Sequence, residues 1–438
     1  MTNEPSEPPS VAALAVTDTA TKATEQAIDP WNVSAGTDEQ GNAKEFDYAA
    51  ISKQWNTKLI DDELLARFTK VTGKEPHRWL KRGLFFSHRD FNEILDCYER
   101  GETFMLYTGR GPSSGSMHIG HTIPFEFTKW LQDVFDVPLV IMLTDDEKFL
   151  FKNDLKIEDV RQFARENAKD IIAVGFDPKK TFIYMDTEYI GGHFYQNALE
   201  FARAVTFNQV RGAFGFDLST NIGRIFFPAL QCVAAYPTSY PHIFGDDPAG
   251  NRSKKSSKIR CLIPCAIDQD PYFRLVRDNS HKMKPPIKKA ALIHSKFLTG
   301  LYGPGGKMSS SDPNSAIFMS DTAKQIEKKI NKHAFSGGQE TIELHKELGG
   351  NPDVDVAYQY LSYFDDDDAK LDELAQQYRK GDLGTGALKK ICVAKLQEYV
   401  KGYQDRRKEV TDDVLEAYMT PRELKWEGNK NPVKPEKK

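Results

Sequence analysis

Two short segments carry side chains suited to phosphate chemistry: His118-Ile119-Gly120-His121 near the front and Lys307-Met308-Ser309-Ser310-Ser311 well downstream. In the first, imidazoles three residues apart would share one face of a helix and could donate hydrogen bonds to phosphate oxygens as negative charge builds. In the second, Gly303-Pro304-Gly305-Gly306 leads into a lysine flanked by hydroxyls, a combination suited to closing over a polyphosphate. Each motif also has a plainer reading. A His-x-x-His pair is often structural, and Lys307 to Ser311 could be a solvated turn. Zinc is a further alternative for the histidines, but no H-E-x-x-H or third ligand at metal-like spacing accompanies them, so no metal site is expected.

The elements that would position these residues are legible around them. Phe104-Met105-Leu106-Tyr107 reads as a short buried strand running into the Gly- and Pro-rich turn Gly109-Arg110-Gly111-Pro112-Ser113-Ser114-Gly115, with a helix starting near Met117. Strand, glycine loop and helix start together aim backbone N–H groups and the positive helix end at a phosphate. The loop fits neither G-x-x-x-x-G-K-[ST] nor G-x-G-x-x-G. Residues 138–143 are a continuous apolar strand, Val160, Phe163, Ala164, Ala168 and Ile171 form a helical stripe ended by Gly175 and Pro178, and Phe182-Ile183-Tyr184 is the next strand. This β-α-β alternation predicts an α/β fold, a Rossmann-like doubly wound parallel sheet, in which ligands bind beyond the carboxyl ends of strands. His118 and the segment 144–148 both fall at such ends.

The organisation expected along the chain is a tail without structure over 1–45, an appended helical segment over 46–102 with Leu64, Leu65, Phe68 and Val71 on one face, and a Rossmann-type catalytic domain over 103–325. An all-helical C-terminal domain over 326–424 would follow, with Leu388, Ile391, Cys392, Leu396, Tyr399, Val400 and Tyr403 at helical spacing, and then a Lys-rich flexible tail over 425–438. Residues 245–258, with Arg252, Lys254, Lys255 and Lys258, read as an exposed basic loop. At 438 residues, 39% hydrophobic and 28% charged, the chain can build two substantial cores. A net charge of −4 excludes a uniformly basic nucleic-acid binder, so any RNA contact must come from local patches. Cys97, Cys232, Cys261, Cys265 and Cys392 read as reduced core residues of a cytoplasmic protein. No apolar run approaches the ~18 residues a bilayer needs, and with Lys22 the first basic residue and Arg67 the first arginine, no leader is expected.

Taken as a pair and in this order, the two motifs resemble the signatures of the class I aminoacyl-tRNA synthetases, His-Ile-Gly-His and Lys-Met-Ser-Lys-Ser. Within that class the cytoplasmic tryptophanyl-tRNA synthetases of eukaryotes look similar over nearly all of 46–424, including Thr108-Gly-Arg-Gly-Pro-Ser-Ser114, Thr144-Asp-Asp-Glu-Lys148 and Cys265-Ala-Ile-Asp-Gln-Asp-Pro-Tyr-Phe-Arg274. The resemblance implies formation of tryptophanyl adenylate from ATP and tryptophan, then transfer to the terminal ribose of tRNA. It also implies Mg²⁺ on the phosphates, a homodimer, and a C-terminal domain that reads the anticodon. By the same resemblance His118 and His121 serve the α-phosphate side and Lys307 the leaving pyrophosphate; Gly109, Arg110, Gly120, Asp268, Met308, Ser309 and Ser311 are ATP-side contacts. Tyr107, Met142, Glu147, Lys148, Gln231 and Gln269 match the amino-acid pocket, where an ammonium needs a carboxylate or amide oxygen and a carboxylate needs a cation or N–H donor. Two departures stand out. Ser310 replaces the second lysine of the loop signature, and Met142 stands where relatives carry Gln or Glu accepting from the indole N–H. Tyr107 or a water must then carry that recognition, since an unpaired buried donor costs roughly 1–3 kcal/mol; Met142 could instead pack its sulfur on the ring. A tyrosine-specific enzyme on the same scaffold, a small-molecule adenylyltransferase with a His-x-Gly-His helix, and a paralogue that only binds RNA or a signalling partner are the competing readings.

Overall fold

A computed structural model describes residues 24–28, 33–39, 44–305, 308–309 and 312–433. Its strands are β1 (Ala27–Ile28), β2 (Val33–Ser34), β3 (Lys58–Leu59), β4 (Phe85–Arg89), β5 (Phe104–Arg110), β6 (Leu139–Leu143), β7 (Thr181–Met185), β8 (Arg260–Ala266) and β9 (Ala291–Ser295). β1 and β2 pair antiparallel; the other strands form one sheet in the order β3-β4-β9-β8-β5-β6-β7. β5 to β9 are mutually parallel; at one edge β4 runs antiparallel to β9, and β3 runs antiparallel to β4. From β5 the chain moves to β6 on one side and returns to β8 on the other. The switch in direction opens a crevice at the carboxyl end of β5.

Strand alternation sorts the core into two clusters. Phe104, Leu106, Leu139, Ile141, Ile183 and Ile293 face one cluster, while Met105, Tyr107, Val140, Met142, Phe182 and Tyr184 face the other. On the first face lie the helices Ile119–Phe135 and Ile157–Ile172 together with the C-terminal helices. The second face is covered by Gly192–Ala204, Ile222–Val233 and Asp270–Asn279. Residues from Ala323 onward are helical, as expected, but their core is continuous with that of the first face. The long helix Thr385–Lys408 is tied to the catalytic helices through Tyr403, whose hydroxyl donates to the Asp170 carbonyl at 2.8 Å, and through Arg407, which pairs with Glu166 and Asp170. No described helix is long and apolar enough to cross a membrane.

Several expectations about the periphery need correcting. Segment 46–102 does carry the expected helix, Asp62–Thr72, with Leu64 and Phe68 buried, but it also contributes β3 and β4 to the sheet. Within 1–45, residues 24–28 and 33–39 are paired rather than without structure: Thr24 bridges Thr37 and Gln26 accepts from the Asp47 backbone N–H at 3.0 Å. Residues 425–433 are not a free tail either. Trp426 meets Phe244 at a tilt with ring centroids 6.2 Å apart, the Gly428 N–H donates to the Asp136 carbonyl at 2.9 Å, and the Val433 N–H donates to the Glu99 carbonyl at 2.8 Å. The loop 245–258 is exposed at Lys254, Lys255 and Lys258, yet Ser253, Ser256 and Ser257 are buried and Arg252 pairs with Glu200. All five cysteines are buried and free, as expected.

Candidate active site

The helix Ile119–Phe135 begins one residue later than the motif suggests. His118 is extended (φ −99°, ψ 164°) and caps the helix instead of riding on it. Its backbone N–H donates to His121 Nδ1 at 3.2 Å, and the two imidazoles stack with centroids 3.4 Å apart. Met308 of the downstream signature is brought to the same place, next to the segment just after it. The Ile119 N–H donates to the Ile317 carbonyl at 2.9 Å, the Met319 N–H donates to the Met117 carbonyl at 2.9 Å, and His118 bridges Phe318. Met308 lies against the helix start, close enough that a Cβ at position 120 would sit 3.0 Å from its sulfur. Glycine at 120 therefore keeps both the helix N-terminus and Met308 in reach of one ligand.

The carboxyl ends of β5, β6, β8 and β9 open onto a cavity of about 330 Å³. Of the residues expected at the site, Tyr107, Gly109, Arg110, His118, Gly120 and His121 line it from the first motif and its strand. Glu147, Lys148, Gln231, Asp268, Gln269 and Met308 complete the wall. Lys307 and Ser311, with Ser310, lie outside the described residues. Ser309 is not among the cavity-lining residues; its backbone N–H donates to Ser315 Oγ at 3.1 Å.

Met142 is displaced from its expected role. It is fully buried behind Tyr107 and does not line the cavity; its sulfur accepts from the Tyr107 hydroxyl at 3.2 Å. The reason is pleat geometry: Met142 pairs in register with Gly109, so its side chain shares the face of Tyr107 and sits beneath that ring.

Glu147 and Lys148 begin the helix Asp145–Phe151 at the end of β6. They form an ion pair at 2.9 Å, with Thr144 Oγ1 also donating to Glu147 at 2.8 Å. Glu147 is only 6% exposed, which rules out an ordinary surface pair. Lys148 folds over Gly111, where a Cβ would come within 2.3 Å of its Cε. Across the cavity Gln231 Nε2 donates to Gln269 Oε1 at 3.2 Å. Tyr107 and Phe273 meet edge-on with centroids 6.0 Å apart, giving the inner end aromatic walls. Arg110 donates through Nε to Asn167 Oδ1 at 3.2 Å, while its buried Nη2 has no protein partner among the described residues. Burial lowers its pKa to about 10, so it remains a cation at neutral pH.

The comparisons with known proteins agree with this geometry. A family model described as tRNA synthetases class I (W and Y) matches residues 99–401. The chain belongs to that family. This synthetase is 55% identical over 414 residues to the cytoplasmic tryptophan–tRNA ligase of Saccharomyces cerevisiae, covering 94% of this chain and 93% of that protein. It is 52% identical to the cytoplasmic tryptophan–tRNA ligase of Homo sapiens, covering 93% of this chain and 83% of that one. Among solved structures it resembles the tryptophanyl-tRNA synthetase of Giardia lamblia at TM-score 0.80 and 42% identity, over 85% of this chain and 95% of that one. The tryptophan-bound synthetase of Encephalitozoon cuniculi aligns at TM-score 0.77 and 42% identity, over 86% and 98%.

Other residues of this synthetase's site carried no motif. Asp146 and Asp186 are in contact beneath the Glu147 helix. Burial pushes Asp146 up to about 6 despite a hydrogen bond with Asp186, and Asp186 is raised well above the usual carboxylate range by burial and by Asp146. Asp145 beside them accepts from the Thr187 N–H at 3.1 Å. Lys296 lines the cavity from the end of β9. Asp145 and Asp146 lie inside Thr144-Asp-Asp-Glu-Lys148 but had no role assigned there, and a Ser-Lys-Phe triplet offered no periodicity that would separate Lys296 from solvated surface.

Proposed function

We propose that this synthetase is a tryptophan–tRNA ligase of the cytoplasm, which uses ATP to form tryptophanyl adenylate and then esterifies the terminal ribose of its tRNA. The observation that carries this reading is a single cavity that joins an aromatic-walled inner end, at Tyr107 and Phe273, to the start of the Ile119–Phe135 helix. An indole fits the first and a nucleotide the second. In the activation step a tryptophan carboxylate oxygen bonds to the α-phosphorus and the bond to the bridging oxygen of pyrophosphate breaks. The protein's work is positioning and charge stabilisation, so no Ser-His-Asp set is needed.

In this reading Glu147 and Gln231 receive the ammonium, and Lys148 and Gln269 face the carboxylate. Gly109, Arg110, Gly120 and Asp268 hold ATP with Met308 and Ser309; Lys307 and Ser311 act on the pyrophosphate side. His118 and His121 stabilise the charge that builds at the α-phosphate. Mg²⁺ enters on the phosphates of ATP as part of the substrate, since it keeps most of its ligands as waters and phosphate oxygens; among the described residues no trio of His, Cys, Asp or Glu is set to cage a metal.

The helical C-terminal domain would bind the anticodon, and the exposed Leu218 and Ile222, 90% and 84% accessible, would be covered in a homodimer. Tyrosine is the less suitable substrate, because a buried phenol hydroxyl needs a polar pair and the Tyr107 hydroxyl of the inner wall already donates to Met142. Tryptophan-dependent exchange of pyrophosphate into ATP tests the reading: exchange with tryptophan and little with tyrosine is expected, and its absence from folded protein overturns the proposal.

A further inference from the structure

We infer that Lys296 is an ATP-binding residue of this chain, pairing its ammonium with the triphosphate on the side nearest the loop signature. The inference deepens the ATP-dependent reading and rests on it. Lys296 directly follows β9, and its backbone N–H donates to the Leu84 carbonyl at 2.8 Å, so its Cα is fixed to the framework. The half-buried side chain passes over the Tyr48 ring, with Nζ 5.5 Å from the centroid.

It borders two spaces at once. One is the main cavity, shared with His118, Gly120 and Met308. The other is an adjoining cavity of about 350 Å³ walled by Pro304 and Gly305, which lead into Lys307.

The ammonium is poorly compensated where it stands. Burial lowers its pKa, and the carboxylate that opposes this is Glu45, which makes no ion pair with it. Among the described residues no carboxylate stands within 4.0 Å of Lys296 Nζ. A desolvated cation without a counter-charge is costly, and one aromatic face offsets only part of that. An anion entering the main cavity would supply the missing charge.

The amino-acid carboxylate is the poorer candidate, because in the proposed reading Lys148 and Gln269 already face it beside Glu147. The triphosphate is the better one, since it must extend from the Ile119 helix start toward the segment that follows Pro304. Lys296 thus provides on a fixed strand end a positive charge comparable to the one that Ser310 removes from the loop.

The test compares Lys296→Met and Lys296→Arg with the wild-type chain. For Lys296→Met the KM for ATP in pyrophosphate exchange is expected to rise about tenfold, the size of one charge-assisted contact. The KM for tryptophan should change less than twofold, with thermal stability unchanged, and Lys296→Arg should restore most of the ATP affinity. An ATP KM within twofold of wild type, or a loss borne by tryptophan instead, would overturn the assignment. Calorimetric binding of ATP in the absence of amino acid keeps the two ideas separable. If the wild type shows no exchange, the proposed reaction fails, while the difference in ATP binding between wild type and Lys296→Met still decides the role of Lys296.

Discussion

The two faces of the central sheet hold the two halves of the substrate site in different surroundings. On the face carrying the Ile119–Phe135 helix, the residues packed beneath the helix start include Leu106, Ile119, Phe127 and Leu139, all fully buried and without hydrogen-bonding side chains; Phe85 and Phe127 stack there at 3.7 Å between centroids. On the opposite face, Tyr107, Tyr184, Tyr236, Tyr240 and Tyr272 are buried with their hydroxyls, and Tyr184 and Tyr240 share a hydrogen bond of 3.1 Å. A phosphate is recognised by backbone N–H groups and cations at a helix start, so that face needs only a rigid apolar support. A flat ring with one N–H must be read by fixed polar atoms inside a packed core, and those atoms need partners of their own.

The largest expected effect breaks the nucleotide half alone. His118→Ala should lower the exchange rate by about two to three orders of magnitude, the usual loss when a preorganised donor at a developing charge is removed. Tryptophan affinity, read by equilibrium binding without ATP, should stay near wild type because Tyr107 and Phe273 are untouched. A parallel loss of tryptophan affinity would mean that the halves are not separable.

The supporting face should respond as packing. Leu106→Ala removes a fully buried side chain on β5 and is expected to destabilise the fold by about 3 kcal/mol in denaturant titration. The KM values of the protein that remains folded should be unchanged, because Leu106 points away from the cavity. A changed tryptophan KM would show that the sheet transmits packing defects to the other side.

The polar face makes a pH-dependent contribution through Asp146. Asp146 is held up to about 6 by burial, with Asp145 and Glu147 adding repulsion and the Asp186 contact and the Glu147 N–H opposing it. The folded state therefore keeps a proton that the unfolded chain releases near 4, and this contribution is lost as pH rises through about 6. Relative to wild type, Asp146→Asn should gain on the order of 2 kcal/mol of stability between pH 4 and pH 7. Denaturation at a series of pH values checks this; a constant difference between the two proteins would remove Asp146 as the cause.

The legibility of the molecule in its sequence follows the same division. The strand, loop and helix from Phe104 to Phe135 were readable because apolar runs, glycines and a helix start follow one another locally. The partners of that unit were not: β3 is a two-residue edge strand, and β4, Phe85–Arg89, is too mixed for period-two alternation to show. β4 is held by pairing to β9 and β3 by pairing to β4, contacts set by tertiary packing. Trp426 was hidden in a Lys-rich stretch that reads as solvated. At the site, residue types identified most of the cavity wall, but depth was not encoded. Nothing in the sequence says that Met142 lies behind Tyr107, or that Lys296 lacks a counter-charge, because both depend on which neighbours arrive from other strands.

The smallest effect concerns that hidden pair. The Tyr107 hydroxyl commits its proton to Met142 Sδ, which leaves its oxygen to act as an acceptor for an N–H donor in the cavity. Burial keeps the phenol protonated, so the arrangement holds across the working pH range. Tyr107→Phe should raise the tryptophan KM by roughly tenfold or less, the worth of one neutral hydrogen bond, and leave the ATP KM unchanged. Met142→Leu keeps the volume but frees the hydroxyl rotor, so its effect should be a few-fold at most. Tyr107→Phe should also lose discrimination between tryptophan and an analogue whose ring nitrogen is replaced by sulfur, because the wild-type preference comes from an acceptor that the analogue cannot use. Met142→Leu keeps that acceptor and should keep most of the preference. If wild type and Tyr107→Phe discriminate equally, the N–H is read by another group, and the polar face owes its specificity to shape alone.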